Sequence, residues 1–347
     1  MVIGIFLGEK RYLGIDMGSF SIKIVEVVDR KGSIEVVNFG LIPIVNFKQV
    51  FSTSRILEET LSSLLKESFN KFKIQAKEAI FNITAPNTFP INFLVPYIPE
   101  RSLMQVVKFE SQKQVPLSLE EIEFEFRYTE FLSETQKNWL VFLVAVPKTY
   151  FQRLENLTNL TKLKLSGYGL EYFNLEPFFA SKKEVLVCFD LGHSYSTIYL
   201  IKDGKIIYGS KLNLRGYDYL DGVMNISKFN EEKTIELVQK KGFMFNPEER
   251  ELKNLAENFL NNLITSVEME ISKIEDKFLF RPEKIIFTGG LSVLNGFKEN
   301  VALRLKKYQF EILDITSFVK GDNFIKLKEK SSLFSQALGV VFRKIIK

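Results

Sequence analysis

Histidine, cysteine and tryptophan each occur once in this 347-residue sequence, and the first two scarcities remove whole classes of chemistry. One histidine leaves no room for a His-based triad or a His-rich metal site. One cysteine, Cys188, excludes an internal disulfide and any Cys/His zinc grouping. That usage fits a reducing compartment and a cytoplasmic location. No uninterrupted apolar run approaches the ~20 residues a bilayer span needs. Met1–Leu7 runs straight into Glu9, Lys10 and Arg11 without a small-residue cleavage site, so no signal peptide is expected. Charge of one sign is also lacking. Against 42 Asp and Glu stand 47 Lys and Arg, a net +5 spread along the chain, which argues against a nucleic-acid partner.

What is present reads as globular: 46% hydrophobic and 26% charged residues. The length exceeds one ordinary domain, so two lobes are expected. Residues 12–15 and 22–28 are β-rich runs joined by the polar turn DMGSFS, and a third run, Ile34–Leu41, follows a turn signal at Lys31-Gly32. Apolar residues at helical spacing fill 54–70, and Glu78–Thr84 is strand-like. Four prolines fall within Pro86–Pro99. A helix over Ser102–Gln114 and strands over Ile122–Phe131 and Trp139–Val146 then suggest an inserted small sheet. Helix Lys148–Leu160 leads to strands Val185–Leu191 and Thr197–Lys202 around GHSYS, with a hairpin turn at Asp203-Gly204. Helices are expected over about 230–276, from Phe297 and over Ser331–Ile346, with a short strand at Lys284–Phe287.

One internal repeat organises the chain. A strand ending in Asp, a glycine-bearing polar turn and a β-branched strand occur at Ile15–Val27 and again at Phe189–Ile201. In the first copy, Gly18 and Ser19 expose backbone amides suited to phosphate oxygens, Asp16 suits a magnesium ion held through water, and Lys23 suits the phosphates. The alternative is a plain hairpin whose Asp and Ser cap the turn. The second copy presents Asp190, Gly192, Ser194, Ser196 and Thr197, and two such turns facing each other would clamp a polyphosphate. A third segment, IIFTGGLSV, runs a strand into Gly289, Gly290 and Ser292, where bare backbone suits adenine or ribose. His193 and Cys188 have quieter readings, the first in a turn whose amides suffice, the second in an apolar strand.

These segments resemble the phosphate-one, phosphate-two and adenosine motifs of the actin and sugar-kinase ATPase superfamily. That resemblance implies an α/β fold of duplicated actin-like (ribonuclease H-like) lobes around a nucleotide cleft, with an inserted small α+β subdomain. Its expected parts are 1–85 (first lobe), 86–165 (insertion), 166–183 (connecting helix), 184–330 (second lobe) and 331–347 (terminal helix on the first lobe). ATP and magnesium are the implied cofactors, with Asp16 and Asp190 on the metal side. NLEPFFA resembles the superfamily's Glu-Pro connecting helix, which points to Glu176 for positioning the attacking water.

Within the superfamily the chain is similar to the PilM family of type IV pilus assembly proteins. The likeness rests on KRYLGIDMGSFSIKIVEV, on PYIPERSLMQVVKFESQKQVPLSLEEIEFEF, on LRGYDYLDGV and ELVQKKG, and on the closing ALGVVFRK. It implies a ribose contact from Glu236 and, as partner, the short cytoplasmic N-terminal segment of the inner-membrane protein PilN, docking near the inserted subdomain. The stretch around Phe93–Tyr97 is a candidate for that groove, which the resemblance itself does not specify. Other inner-membrane and motor components of the pilus machine are further candidate partners. Membrane association would come through the partner, and ATP hydrolysis would be weak or absent. Arg215 and Gln239 depart from the family pattern, replacing a glycine and a lysine near the nucleotide. The alternative is a filament-forming, membrane-tethering division protein similar to FtsA, using its terminal helix as an anchor.

Overall fold

The backbone of the first lobe is organised by β-branched runs whose side chains are buried on both faces. The structure is a computed structural model that describes residues 9–30, 33–44, 54–132 and 136–345. The opening Met1–Leu7 and the turn at Lys31-Gly32 lie outside the described residues. Strands β1 (Lys10–Met17), β2 (Ser21–Arg30) and β3 (Ser33–Pro43) form an antiparallel meander. Leu13, Ile15, Ile22, Ile24, Val25 and Val27 are wholly buried, as strands covered on both faces require. Strand β4 (Glu78–Ile83) then joins β1 in parallel.

The chain next leaves this sheet. Strands β5 (Phe89–Pro96), β6 (Ile122–Leu132) and β7 (Lys137–Pro147) form a separate antiparallel sheet in the order β5-β7-β6. Helix Glu100–Gln114 covers one face of it with Leu103 and Val107. The sequence reading missed β5 because Pro90 and Pro96 sit in it. The strand is an edge, where proline's missing N–H costs no ladder bond.

This sheet ends at Pro147, earlier than the expected boundary at 165. Helix Lys148–Thr161 packs instead on helix Ser54–Lys71, and β8 (Lys164–Leu170) pairs in parallel with β4, so both belong to the first lobe. The connecting helix expected over 166–183 is also different. The segment holds the end of β8, one helical turn at Glu171–Asn174 and a 3-10 turn at Glu176–Phe178. Strand pairing consumes its first five residues, and Pro177 lacks the N–H a continuing helix needs. Tyr172, Phe173, Leu175, Phe178 and Phe179 are buried around it in all directions.

The second lobe repeats the first. Strands β9 (Leu186–Leu191), β10 (Ser196–Lys202) and β11 (Lys205–Leu212) form a meander, and β12 (Lys284–Thr288) and β13 (Phe310–Ile312) follow in parallel. The two orders are β3-β2-β1-β4-β8 and β11-β10-β9-β12-β13, the same topology position for position. Asp203 and Gly204 turn the β10–β11 hairpin with positive φ, as expected. Helices Gly216–Ser227, Glu231–Lys241 and Arg250–Phe278 pack on this sheet through Tyr219, Val238, Leu260 and Val267.

The terminal helix, Ser335–Ile345, returns to the first lobe with Ser335 through Phe342 all buried. Its seat on β1 depends on Gly14. A Cβ there would overlap the Ala337 carbonyl oxygen and the Val341 side chain, so only glycine lets helix and strand approach this closely. Gly14→Ala should destabilise the fold by about 2–3 kcal/mol through overpacking. Urea unfolding of both proteins measures this, and a loss below about 0.5 kcal/mol would contradict the close seat.

Candidate functional site

Duplication places the chemistry. β1 and β9 occupy matching positions at the centre of their sheets, and each carries its Asp at or beside its end. In the first hairpin Asp16 pairs in register with Lys23, and in the second Asp190 pairs with Thr197. Both turns open onto one cavity of about 410 Å³ between the lobes. Gly18, Ser19 and Lys23 line it from the first lobe, with Gly192, His193, Gly289 and Gly290 from the second.

The first-lobe carboxylate is held on both oxygens. Lys23 Nζ donates to Asp16 Oδ2 at 3.1 Å, and Asn82 Nδ2 donates to Oδ1 at 2.8 Å. Asn174 in turn orients Asn82 by an amide–amide bond of 2.8 Å. Asp190 instead takes a neutral donor, Gln336 Nε2 of the terminal helix, at 2.9 Å. Burial pushes the Asp190 carboxyl up to about 6; Asp16 adds to the rise, while the Gln336 bond and Lys23 oppose it.

A third carboxylate, Glu171, lines the same cavity. It accepts from the Ala85 amide at 2.9 Å, Tyr195 Oη at 2.7 Å and Thr197 Oγ1 at 2.9 Å. Burial, then the Asp190 charge, push it up to about 7 despite these bonds. His193 moves the other way. Burial and then the Lys23 charge push it down to about 4, so the ring is neutral at pH 7. It stands between Phe20 of the first turn, centroids 5.1 Å apart, and Tyr217, at 5.6 Å.

The structure sorts the expected site residues into two groups. Asp16, Gly18, Ser19, Lys23, Asp190, Gly192, Gly289 and Gly290 converge on the cavity. Ser194, Ser196, Thr197 and Ser292 do not line it. Ser196 Oγ donates to the Leu214 carbonyl, Ser292 Oγ donates to the Gly289 carbonyl, and Thr197 is committed to Glu171. Glu236 is exposed on its helix, whereas Gln239 on the next turn lines the cavity. Arg215 points away and pairs with Asp218 at 2.6 Å. Cys188 is buried in β9, its thiol pushed up by that burial.

Glu176 also lies elsewhere. Its carboxylate makes a two-pronged pair with Arg127 of the inserted sheet, at 2.9 and 2.6 Å, and accepts the Ile206 amide at 3.0 Å. The carboxylate that reaches the cavity is Glu171, five residues earlier. Its sequence signal was an ionisable group inside the apolar run GLEYFNL. Asn82, Tyr195 and Gln336 were likewise missed, since their relevance depends on which strands and helices become neighbours.

The cavity fits a nucleotide with a cation. At Gly289 φ is +86°, and a Cβ would overlap Asp190 Oδ1 and the Leu191 backbone, so this step is open because it is glycine. An apolar wall of Leu220, Ile235, Val238, Leu291 and Leu294 faces the polar turns, as a base and phosphates at opposite ends require. Asp190, desolvated and compensated by a neutral amide, gains most from a cation. Among the described residues no group of three or more His, Cys, Asp or Glu side chains is placed to hold a metal directly. Asp16 and Asp190, the carboxylates of the two hairpins, both line the cavity and suit contact with a magnesium ion through water.

Comparison with known proteins agrees with this geometry. A family model described as type IV pilus assembly protein PilM matches residues 14–345. A solved chain of a PilM-PilN type IV pilus biogenesis complex is 18% identical, with 96% of this chain and 98% of that one covered at a TM-score of 0.78. The ethanolamine utilization protein EutJ from Carboxydothermus hydrogenoformans is 13% identical, covering 96% and 90%, at 0.56. MreB 5 of Spiroplasma citri bound to AMPPNP is 11% identical, covering 97% of each chain, at 0.50. No curated protein matches. At these identities the solved structures show the fold, which is that of duplicated actin-like lobes.

Glu171 makes the site's electrostatics measurable. A carboxyl raised from 4.5 to about 7 binds its proton more tightly in the folded chain. Stability should therefore fall as pH rises from about 4.5 to 7 and level off above, with Glu171 contributing on the order of 3 kcal/mol to the drop. Glu171→Gln should flatten that part of a melting-temperature profile taken between pH 5 and 8. An unchanged slope in the variant would contradict the assignment.

Proposed function

The chain belongs to the PilM family of type IV pilus assembly proteins, and from that membership we propose a nucleotide-responsive scaffold that binds ATP with magnesium between its lobes and docks PilN. The nucleotide half of this reading rests on the convergence of both Asp-turn hairpins and the Gly289–Gly290 step on one cavity. Lys23 and the amides of the two turns would meet the phosphates, and the apolar wall would take the base. Magnesium, when bound, neutralises phosphate charge. Asp16 and Asp190 would hold it through water.

Glu171 takes the role of positioning water that the sequence resemblance gave to Glu176. Three donors already occupy its oxygens, which leaves little capacity to orient an attacking water, so turnover would be weak.

The partner half rests on the family and on the inserted sheet. Among the described residues no helix is long and apolar enough to cross a membrane. Recruitment would therefore come through PilN, whose short N-terminal segment would lie along β5. That strand is an edge with backbone groups to offer, and Leu94 within it and Tyr97 just beyond it are 50% and 47% exposed. A membrane-tethering reading of the FtsA kind needs a terminal helix free to leave, and here that helix is buried in the first lobe.

Calorimetric titration tests both halves. ATP with magnesium should bind the wild type, and Asp16→Ala and Asp190→Ala should each weaken it about tenfold or more while a PilN N-terminal peptide still binds. Leu94→Ala with Tyr97→Ala should weaken the peptide alone. Well-folded protein that binds neither would contradict the proposal.

A further inference from the structure

The terminal helix touches three parts of the molecule that are otherwise far apart in sequence. Its middle is locked to the first lobe. Added Cβ atoms at Gly14 and Gly339 would overlap the carbonyl oxygens of Ala337 and Asn174, so helix and lobe have no slack to slide. A helix packed this closely moves with its lobe as one body.

Its first turn reaches the second lobe at the cavity. Gln336 Nε2 donates to Asp190 Oδ2 at 2.9 Å, and Thr288 Oγ1 donates to the Ser332 carbonyl at 3.2 Å while lying in hydrogen-bond contact with Ser335 Oγ at 3.0 Å. Asp190 and Thr288 are neighbours on β9 and β12. These few polar bonds tie the helix to the strand ends that frame the cavity.

Its last turn reaches the inserted sheet. Arg343 pairs with Glu125 of β6. Glu125 also pairs with Arg127 at 2.9 Å, and Arg127 is held by Glu176 at 2.6 Å. The guanidinium groups of Arg127 and Arg343 lie 4.5 and 5.8 Å from the centre of one ring, Phe173. Charged pairs set in this way add little net stability, but they specify geometry, because removing one partner strands the other. Gln336 and Arg343 are seven residues apart, so they share a helix face about 10 Å from each other along the axis.

We infer that the terminal helix is a strut that transmits nucleotide loading at Asp190 to the seating of the inserted sheet, through its strand β6. The inference rests on reading the cavity as a nucleotide site. Cation and phosphates arriving at Asp190 alter the contact that Gln336 makes. The helix cannot absorb that change locally, and its other end bears on Glu125. The loaded and empty forms then differ in how firmly β6 is held, which is the differential interaction that coupling between two sites requires.

Amide hydrogen exchange of the full chain, with and without saturating ATP and magnesium, tests this. In the wild type, loading should change exchange across Ile122–Leu132 by about threefold or more. Arg343→Met should keep ATP affinity within about twofold and lose that response. Gln336→Leu should bind ATP roughly tenfold more weakly and show no response at saturation. Should Arg343→Met fail to fold, Glu125→Gln cuts the same contact from the other side with the same expected result. A response that survives Arg343→Met or Glu125→Gln, or a wild type that binds ATP without one, would overturn the strut. A wild type that binds no ATP would overturn the nucleotide reading and the strut with it.

Discussion

Three carboxylates brought to one cavity impose the constraint on which the rest of the structure depends. Asp16 has an ammonium partner in Lys23, whereas Glu171 and Asp190 are hydrogen-bonded by neutral groups. Holding them there requires donors from separate elements. Asn82 comes from β4, Tyr195 and Thr197 from the second turn and strand, and Gln336 from the terminal helix. The lobes, the connecting segment and the chain's end are thus fastened together at the place where charge most needs compensation.

The two halves share topology but divide the work. Lys23 and Thr197 hold the same register position opposite their aspartates, yet the first offers a charge to the cavity and the second a hydroxyl to Glu171. Asn82 and Thr288 are likewise cognate, on the parallel strands beside each Asp. Asn82 binds its Asp, while Thr288 turns to the terminal helix. Duplication explains why the fold closes around a cleft, and these divergences explain why one side of the cleft carries an ammonium group while the other is bonded to the terminal helix.

Much of this was legible in the residues. The repeated Asp-turn-strand pattern, the Asp203-Gly204 hairpin and the Gly289-Gly290 step depend on local chemistry, and each stands where its sequence placed it. The small residues Ala337 and Gly339 stand where the terminal helix packs closest to the first lobe. Strand β5 was hidden because its prolines mean one thing in a central strand and another at an edge, and edge position is a property of the assembled sheet. Glu176 is marked in one dimension by the proline that follows it, whereas Glu171 carries no such mark. The direction a carboxylate faces is set by β8, whose pairing with β4 joins residues over 80 positions apart. Gln336 and Arg343 have no local signature, since their partners lie 146 and 218 residues away.

The central claim is that both Asp-bearing turns address one nucleotide. A structure of the chain with a non-hydrolysable ATP analogue and magnesium tests it most directly. The account predicts phosphates lodged between the Gly18–Ser19 and Gly192–His193 backbones, a hydrated metal ion beside Asp16 and Asp190, and the base against Leu291 and Val238. Nucleotide bound at another surface, or a cavity still free of it at saturating analogue, would contradict the claim.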